Sequence, residues 1–280
     1  MLLAARNILK SWLLVLALAS VFALAGWLLD GVRGLTIFVF CALLLAAGAY
    51  WTFDRVSFGM IGARELPLGE APLLHSTVER LAARAGITKP RLYLIPDGLP
   101  IAAATGRGIR SSSLAVSTGC VAACAPAELE GVLAHEIAHV RLHDVQVQTA
   151  AAVAASVLLE TSRIGGWFER ALLFVLGPVA SACVHLLVSP KREFAADHYA
   201  ATLCDSPHGL ADALIRLEQA AELVEFEGSP ATEPLFTINP FAEAGLGALF
   251  ATHPPVAERV RRLRELDPTW RDRVQNEAAA

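Results

Sequence analysis

Residues 131–144 read GVLAHEIAHVRLHD, a run of helix-forming residues that carries three histidines and one glutamate. Residues four apart lie on one face of an α-helix, so His135 and His139 can point imidazole nitrogens at a single ion. Glu136 is rotated by about 100° from His135, which lets it reach a water molecule on that ion. This H-E-x-x-H spacing is the signature of zinc metalloproteases, in which zinc lowers the pKa of water and the glutamate takes its proton. The stretch therefore predicts a zinc-binding helix with a general base.

The third zinc ligand has to come from elsewhere in the chain. His143 continues the spacing, but eight residues rise about 12 Å along a helix, and zinc–nitrogen bonds are only about 2.1 Å long. One ion therefore cannot bind both His135 and His143, and we expect His143 to support a ligand or to face solvent. A catalytic zinc site also keeps its fourth position open for water.

The best candidate for the third ligand lies in the stretch KREFAADHYA. Glu193 and Asp197 are four residues apart on one helical face, so Glu193 can bind the metal while Asp197 accepts a hydrogen bond from a ligating histidine. Spacing alone leaves His198, His185 and Glu160 open as alternatives. Two imidazoles and a carboxylate suit zinc without excluding cobalt or manganese.

The composition points to a membrane protein. Of the 280 residues, 55% are hydrophobic and only 18% are charged, whereas an average soluble domain has about 25% charged residues. The formal net charge of −4 gives no reason to expect nucleic acid as a partner. Five cysteines without a C-x-x-C pair argue against a disulfide framework and against a thiolate zinc site.

Four stretches are candidates for transmembrane helices. Residues 11–29 and 34–53 have no charged side chain, and each reaches the roughly 20 residues needed to cross the hydrocarbon core. Residues 171–190 are also uncharged, whereas residues 145–159 are shorter and carry two glutamines. Because the ligands of one zinc ion cannot lie on opposite faces of a membrane, 171–190 can cross only if 145–159 crosses too.

The remaining residues indicate a water-soluble part of mixed secondary structure. A helix is predicted over 71–86, since Gly86 is a typical residue after a helix C-terminus. The runs RLYLIP, IAAAT and SLAVSTG predict short β-strands between turn residues, and residues 227–240 predict a loop. We therefore expect a mainly α fold, with an α+β catalytic part that contains a small β-sheet.

Three motifs, in this order and behind a pair of hydrophobic segments, resemble those of the HtpX-type membrane zinc metallopeptidases. They are HEIAHVRLHD, SPKREFAAD and FATHPPVAERVRRL, and the resemblance extends over about residues 65–266. It implies a zincin-like domain in an integral membrane endopeptidase of the bacterial inner membrane. It also implies that the zinc site faces the cytoplasm and that the enzyme degrades misfolded or damaged membrane proteins.

Position by position, the resemblance implies that His135, His139 and Glu193 bind one Zn²⁺ ion and that Glu136 is the catalytic base. Asp197 matches the acidic residue that follows the glutamate ligand in the family. These assignments agree with the interpretation of the spacing and choose Glu193 among the alternatives.

The carboxy-terminal motif and three departures from the family pattern complete the resemblance. His253 matches the histidine of that motif, which implies an active-site role, although the residue on its own could cap the following helix. Asparagine and phenylalanine are typical of the family where this chain has Ile101 and Ala103, and an arginine is expected where it has Pro190. The first two departures affect how a substrate strand is held, and hence specificity, more than activity.

The expected organisation has five parts. An amino-terminal transmembrane hairpin (1–56) precedes the first part of the catalytic domain (57–144). A second hydrophobic hairpin (145–190) then separates it from the second part (191–270), and a tail follows (271–280).

Three hypotheses of function follow from these features. The first is a membrane-bound zinc endopeptidase whose partners are the lipid bilayer and polypeptide substrates, chiefly membrane proteins. The second is a catalytically inactive relative that binds unfolded membrane proteins, which the intact Glu136 disfavours because binding alone needs no base. The third is a transporter, which is disfavoured because His185 is the only histidine or charged residue in the long apolar stretches.

Basic residues predict the orientation in the membrane. With four spans, six of them lie on the side of the motif (Arg6, Lys10, Arg55, Arg64, Lys191, Arg192) and three on the other (Arg33, Arg163, Arg170). Because cytoplasmic loops carry the excess of positive charge, we expect the motif to lie in the cytoplasm.

A reporter that is active only outside the cytoplasm tests this topology. Fused within residues 161–169 it should be active, because four spans place this connection outside, and fused at the carboxy terminus it should be silent. Silence from both fusions would contradict the second pair of spans and leave two transmembrane helices.

Overall fold

The computed structural model describes residues 20, 23–24, 26–41, 43–44, 58–59, 62–163, 169–204, 206–223, 234–239 and 251–267. Residues 26–41 are helical, and the rest of the predicted amino-terminal hairpin lies mostly outside the described residues. The predicted tail at 271–280 also lies outside them.

Helices make up most of the described structure, together with one small sheet. The strands are β1 (Arg64–Glu65), β2 (Arg91–Ile95), β3 (Ala102–Gly108) and β4 (Ser111–Ser117). The helices are α1 (Pro72–Ala85), α2 (Thr118–Ala123), α3 (Pro126–Arg141), α4 (Asp144–Arg163), α5 (Glu169–Leu187), α6 (Pro190–Cys204), α7 (His208–Leu223) and α8 (Val256–Glu265). The prediction of a mainly α fold with a small β-sheet is confirmed.

The sheet is mixed, with the strand order β1-β2-β4-β3. β2 and β4 are parallel, whereas β1 pairs antiparallel with β2, and β3 pairs antiparallel with β4. Gly106 in β3 has a φ of 150°, and a Cβ there would lie 2.6 Å from the carbonyl oxygen of Ser111. Only glycine fits this close approach, and the register of the β3–β4 hairpin shifts between Gly106 and Gly108, as at a β-bulge.

Residues 234–239, which fall inside the predicted loop, cover the outer edge of β3. Phe236 forms an antiparallel bridge with Ala103, and the amide of Thr237 donates to the carbonyl of Ala102 at 3.2 Å. A single bridged pair is too short to produce an alternating pattern, so the sequence gives no sign of this pairing.

Helix α3, which carries the H-E-x-x-H motif, is packed on several sides. It contacts α1, α6, α7 and β3, and its Leu133 and Ile137 have no exposed surface. The helix begins at Pro126, and the carboxylate of Glu128 accepts a hydrogen bond from the amide of Ala125 at 2.8 Å. Since an amide at a helix N-terminus otherwise lacks a partner, this contact fixes where α3 starts.

The stretch predicted as a second hydrophobic hairpin forms α4 and α5. These two helices pack against each other through an apolar cluster that includes Val147, Ala151, Ala180 and Val184. Among the described residues, none of the helices is both long enough and apolar enough to span a membrane.

Helices α3 and α7 cross so closely at Gly131 that one added methyl group should destabilise the fold. A Cβ on Gly131 would lie 2.5 Å from the backbone nitrogen of Leu210, and a helix backbone cannot move aside as a side chain can. We expect Gly131→Ala to lower the free energy of unfolding by about 1–3 kcal/mol, as overpacking of a core does. Thermal and denaturant unfolding followed by circular dichroism measure the change. Gly69→Ala is the control, because no atom lies within 4 Å of a Cβ at that position, and equal losses in both variants would contradict the argument.

Candidate metal centre

Side chains from α3 and α6 converge on one point in the interior. The Nε2 atoms of His135 and His139 are 3.1 Å apart. The carboxylate of Glu193 lies 3.4 Å from Nε2 of His135 and 3.5 Å from Nε2 of His139. Within the described residues, this is the one group of three histidine, cysteine or acidic side chains whose ligand atoms all lie within 4.8 Å of one another.

Glu136 follows His135 on α3 and is equally buried, with 1% of its surface exposed. Its Oε1 accepts a hydrogen bond from the hydroxyl of Thr237 at 2.7 Å. Thr237 belongs to the segment that covers the edge of β3, so this segment reaches the predicted general base.

A buried carboxylate holds the other ring nitrogen of each histidine. Nδ1 of His135 lies 3.0 Å from Oδ1 of Asp197, and Nδ1 of His139 lies 3.3 Å from Oδ2 of Asp144. An ionised carboxylate can only accept hydrogen bonds, so each Nδ1 donates its proton and each Nε2 can keep a lone pair for a cation.

Each of these carboxylates is paired with a buried arginine. Arg259 donates from Nε and Nη2 to the two oxygens of Asp197, at 2.9 and 2.7 Å, and Nε of Arg192 lies 3.4 Å from Oδ1 of Asp144. Burial opposes ionisation of Asp197, but the charge and hydrogen bonds of Arg259 outweigh burial and lower the pKa of Asp197 to about 2. Asp197 is therefore ionised at neutral pH and can orient His135.

The residues present fit a divalent cation. Ligands at about 2.1 Å from a tetrahedral ion lie about 3.4 Å apart, close to the three separations between His135, His139 and Glu193. Both oxygens of Glu193 are buried and have no hydrogen-bond partner among the described residues. Such oxygens are costly to bury unless a cation compensates them.

The charge of the region also favours a cation. Four buried carboxylates against two buried guanidinium groups leave a formal charge of −2: Glu136, Asp144, Glu193 and Asp197 against Arg192 and Arg259. Burial disfavours a charge on His139, yet Glu193 and Asp144 outweigh burial and raise the pKa of His139 to about 10. A cation bound here takes the place of that proton.

The structure also brings the carboxy-terminal motif to this point. Nε2 of His253 lies 3.8 Å from Oε2 of Glu193, and 6% of the His253 side chain is exposed. The alternative role of His253 as a helix cap stays a prediction.

The other histidines considered from the sequence lie away from the cluster. His143 has a φ of 62° and forms the turn between α3 and α4, which returns Asp144 to His139. His198 and His185 are exposed, and the side chain of Glu160 lies outside the described part of the chain.

The structure shows where the three departures from the family pattern lie. Pro190 is the first residue of α6, where proline is favoured because the missing amide hydrogen would have no helical partner. Ile101 and Ala103 are buried at the β3 edge, with 2% and 0% of their surface exposed.

Sequence reasoning missed four residues of this site, namely Asp144, Arg192, Arg259 and Thr237. Asp144 is the last residue of the stretch 131–144, and Arg192 directly precedes Glu193. For both residues, the short distance along the sequence to a predicted ligand was the available signal. Arg259 lies between the buried Val256 and Leu263 of α8, and an arginine on an apolar helix face was the available signal. No sequence signal pointed to Thr237.

Comparison with known proteins shows the family to which the chain belongs. The sequence profile described as peptidase family M48 matches residues 69–267. The chain is 39% identical to a protease HtpX homolog of Persephonella marina, covering 92% of this chain and 96% of that protein. It is 37% identical to a protease HtpX homolog of Pelotomaculum thermopropionicum, covering 92% and 98%.

A solved structure with weaker similarity is the crystal structure of S. mikatae Ste24p. It shares 21% identity and a TM-score of 0.48 with this chain, covering 94% of this chain and 66% of that one. The family profile and the HtpX homologs confirm the resemblance drawn from the three motifs. The chain therefore belongs to peptidase family M48, as an HtpX-like metallopeptidase.

Proposed function

We propose that this protein is a membrane-bound, zinc-dependent endopeptidase that cuts misfolded or damaged membrane proteins. In this proposal His135, His139 and Glu193 bind one zinc ion, and Glu136 is the general base. The sequence-based division into two hydrophobic hairpins and a catalytic domain in two parts belongs to the same proposal.

The observation that carries the proposal is the convergence of Nε2 of His135, Nε2 of His139 and the Glu193 carboxylate beside Glu136. Structural zinc sites use four protein ligands, whereas catalytic sites use three and leave a position for water. Two histidines and one glutamate are a ligand set found in zinc peptidases. The site thus has the ligand number and types of a catalytic centre.

The residues divide the chemistry among them. A bound zinc ion supplies a Lewis acid that lowers the pKa of water and polarises a carbonyl group. Glu136 accepts the proton of the attacking water and returns it to the leaving amine. Asp197 and Asp144 hold the two histidines in the tautomer that leaves each Nε2 unprotonated. To His253, whose Nε2 lies 3.8 Å from Oε2 of Glu193, we assign the stabilisation of negative charge on the substrate carbonyl oxygen.

The membrane location rests on the amino-acid sequence. Residues 11–29 and 34–53 are long enough and apolar enough to cross a bilayer, and the excess of basic residues favours a site in the cytoplasm. A peptidase so anchored meets the cytoplasmic parts of membrane proteins. Unfolded segments are its expected substrates, because a peptide bond must be extended to reach a buried site.

The alternative, an inactive relative that only binds unfolded membrane proteins, is less well supported. Such a protein would need neither Glu136 nor three ligand groups that converge on one point. Both are present, and membership of a peptidase family also favours catalysis.

The mechanism predicts the effect of Glu136→Gln. The amide has the same shape but cannot accept a proton, so cleavage of an unfolded protein should fall by several orders of magnitude. Zinc content, measured by atomic spectroscopy, should remain at about one ion per chain. Glu130→Gln is the matched control on the same helix, since Glu130 pairs with Arg80 at the surface. Activity of Glu136→Gln close to that of the unmodified protein would overturn the assigned mechanism, as would cleavage that a chelator does not stop.

A graded loss of zinc affinity tests the ligands and the carboxylates behind them. Glu193→Ala should remove most of the zinc, because it deletes a ligand. Asp197→Asn and Asp144→Asn should each weaken binding by about 10–100-fold, the usual effect of losing the partner of a ligating histidine. His143→Ala should leave affinity unchanged. The measurement is competition with a fluorescent zinc chelator, and full-strength binding by Glu193→Ala would show that the third ligand is misassigned.

A further inference from the structure

Residues 234–239 lie beside the predicted general base, at a position that a substrate would also have to occupy. Hydrogen bonds hold Thr237 there: its amide donates to the Ala102 carbonyl at 3.2 Å, its hydroxyl donates to Glu136 at 2.7 Å, and its carbonyl accepts from Nη1 of Arg259 at 2.6 Å. One residue therefore links the sheet edge, the general base and the arginine that orients Asp197.

The side chains around Thr237 are buried as well. Leu235, Phe236 and Ile238 have 3%, 2% and 5% of their surface exposed. Leu235 and Phe236 pack into a cluster with Ile101 and Ala103 on the β3 side. The segment is thus bound by apolar contacts in addition to its backbone pairing.

The centre that this segment contacts is closed. At most 3% of the surface is exposed for each of its four central residues, His135, Glu136, His139 and Glu193. Such small openings let neither a polypeptide chain enter nor its fragments leave. An extended peptide commonly binds a protein by adding a strand to a free sheet edge. The edge strand next to Glu136 is β3, and its carbonyl at Ala102 is already engaged.

We propose that residues 235–238 are an internal competitor for substrate, bound to the β3 edge and to Glu136, and that they must leave before a polypeptide can enter. The structure accordingly represents the closed form of the protein. This inference rests on the proposed peptidase function for its consequence, but the occupied edge can be tested by binding alone. The incoming ligand is an extended, unfolded polypeptide that takes over the backbone pairing of Phe236 and Thr237.

A disulfide between the segment and β3 tests the inference directly. The hydrogen bond from Thr237 to Ala102 flanks the Ala103–Phe236 pair, so this is a pair without mutual backbone hydrogen bonds, whose Cα atoms lie about 4.5 Å apart. This lies within the range of about 4.4–6.8 Å that disulfides span. Ala103→Cys/Phe236→Cys should therefore cross-link on oxidation with little distortion.

The matched control is Glu65→Cys/Tyr93→Cys on the far side of the sheet. Glu65 pairs with Tyr93 between β1 and β2, and the hydrogen bond from Leu66 to Leu92 at 2.8 Å gives this pair the same type of geometry. Both double variants replace one buried aromatic residue. The single variant Phe236→Cys, oxidised in the same way, controls for the native cysteines.

Two measurements are made on the full-length, zinc-loaded protein, before and after reduction of the cross-link verified by mass spectrometry. The first is binding of a fluorescent unfolded polypeptide in a Glu136→Gln background, and the second is cleavage of the same polypeptide with Glu136 present. We expect the oxidised Ala103→Cys/Phe236→Cys protein to lose at least about tenfold in both, a shift of about 1.4 kcal/mol or more. Reduction should restore both, whereas the control pair and the single variant should not respond.

The outcomes separate this inference from the proposed function. Binding or cleavage that is unchanged in the fully cross-linked protein would overturn the inference, since the segment could then stay in place during turnover. Loss of binding on cross-linking, in a protein that shows no chelator-sensitive cleavage in any state, would support the inference and refute the peptidase function.

Discussion

The orientation of His135 and His139 by two buried carboxylates is the constraint on which the centre depends. An imidazole bonded through Nδ1 to an ionised carboxylate has its lone pair on Nε2, and both Nε2 atoms then face the same point. Burying Asp197 and Asp144 as anions would cost several kcal/mol for each ion without a partner. Arg259 and Arg192 supply those partners. The negative charge that remains is what makes the point attractive to a divalent cation.

The fold can be understood as the means of bringing these charges together. The two histidines and Glu136 come from α3, Glu193 and Asp197 from α6, and Arg259 from α8, which packs on α6 and α7. Arg259 is 1% exposed, and a guanidinium can be buried this deeply only where carboxylates surround it. Docking of α8 and assembly of the centre are therefore coupled. The charge of Arg259 on α8 and the charges of the carboxylates in the centre compensate each other only when both are in place.

The segment along β3 serves two physical purposes with one set of contacts. An exposed edge strand can pair with other chains. In the four-stranded sheet β3 is an edge strand, and the segment that covers it prevents such pairing. The same segment contacts the centre, because the hydroxyl of Thr237 donates to the buried Glu136 at 2.7 Å.

The sequence alone predicted which side chains could form the site, and it determined the kind of fold around them. The i, i+4 spacing of His135 and His139, and of Glu193 and Asp197, fixes which side chains share a helical face, and local geometry is enough for that inference. The end of α1 followed from Gly86 in the same way. Arg192 shows the limit of such reasoning: counted as a topological charge, it lies buried beside Asp144.

Only the tertiary structure decided which distant residues meet. Arg259 lies 62 positions from Asp197 along the chain, and Thr237 lies 101 positions from Glu136, so no periodicity relates the members of either pair. His253 approaches Glu193 for the same reason. Periodic patterns report the face that a residue occupies on its own element, whereas these contacts depend on how α8 and residues 234–239 pack against α3, α6 and β3. That packing is the sum of many weak apolar contacts, and it cannot be deduced from any one of them.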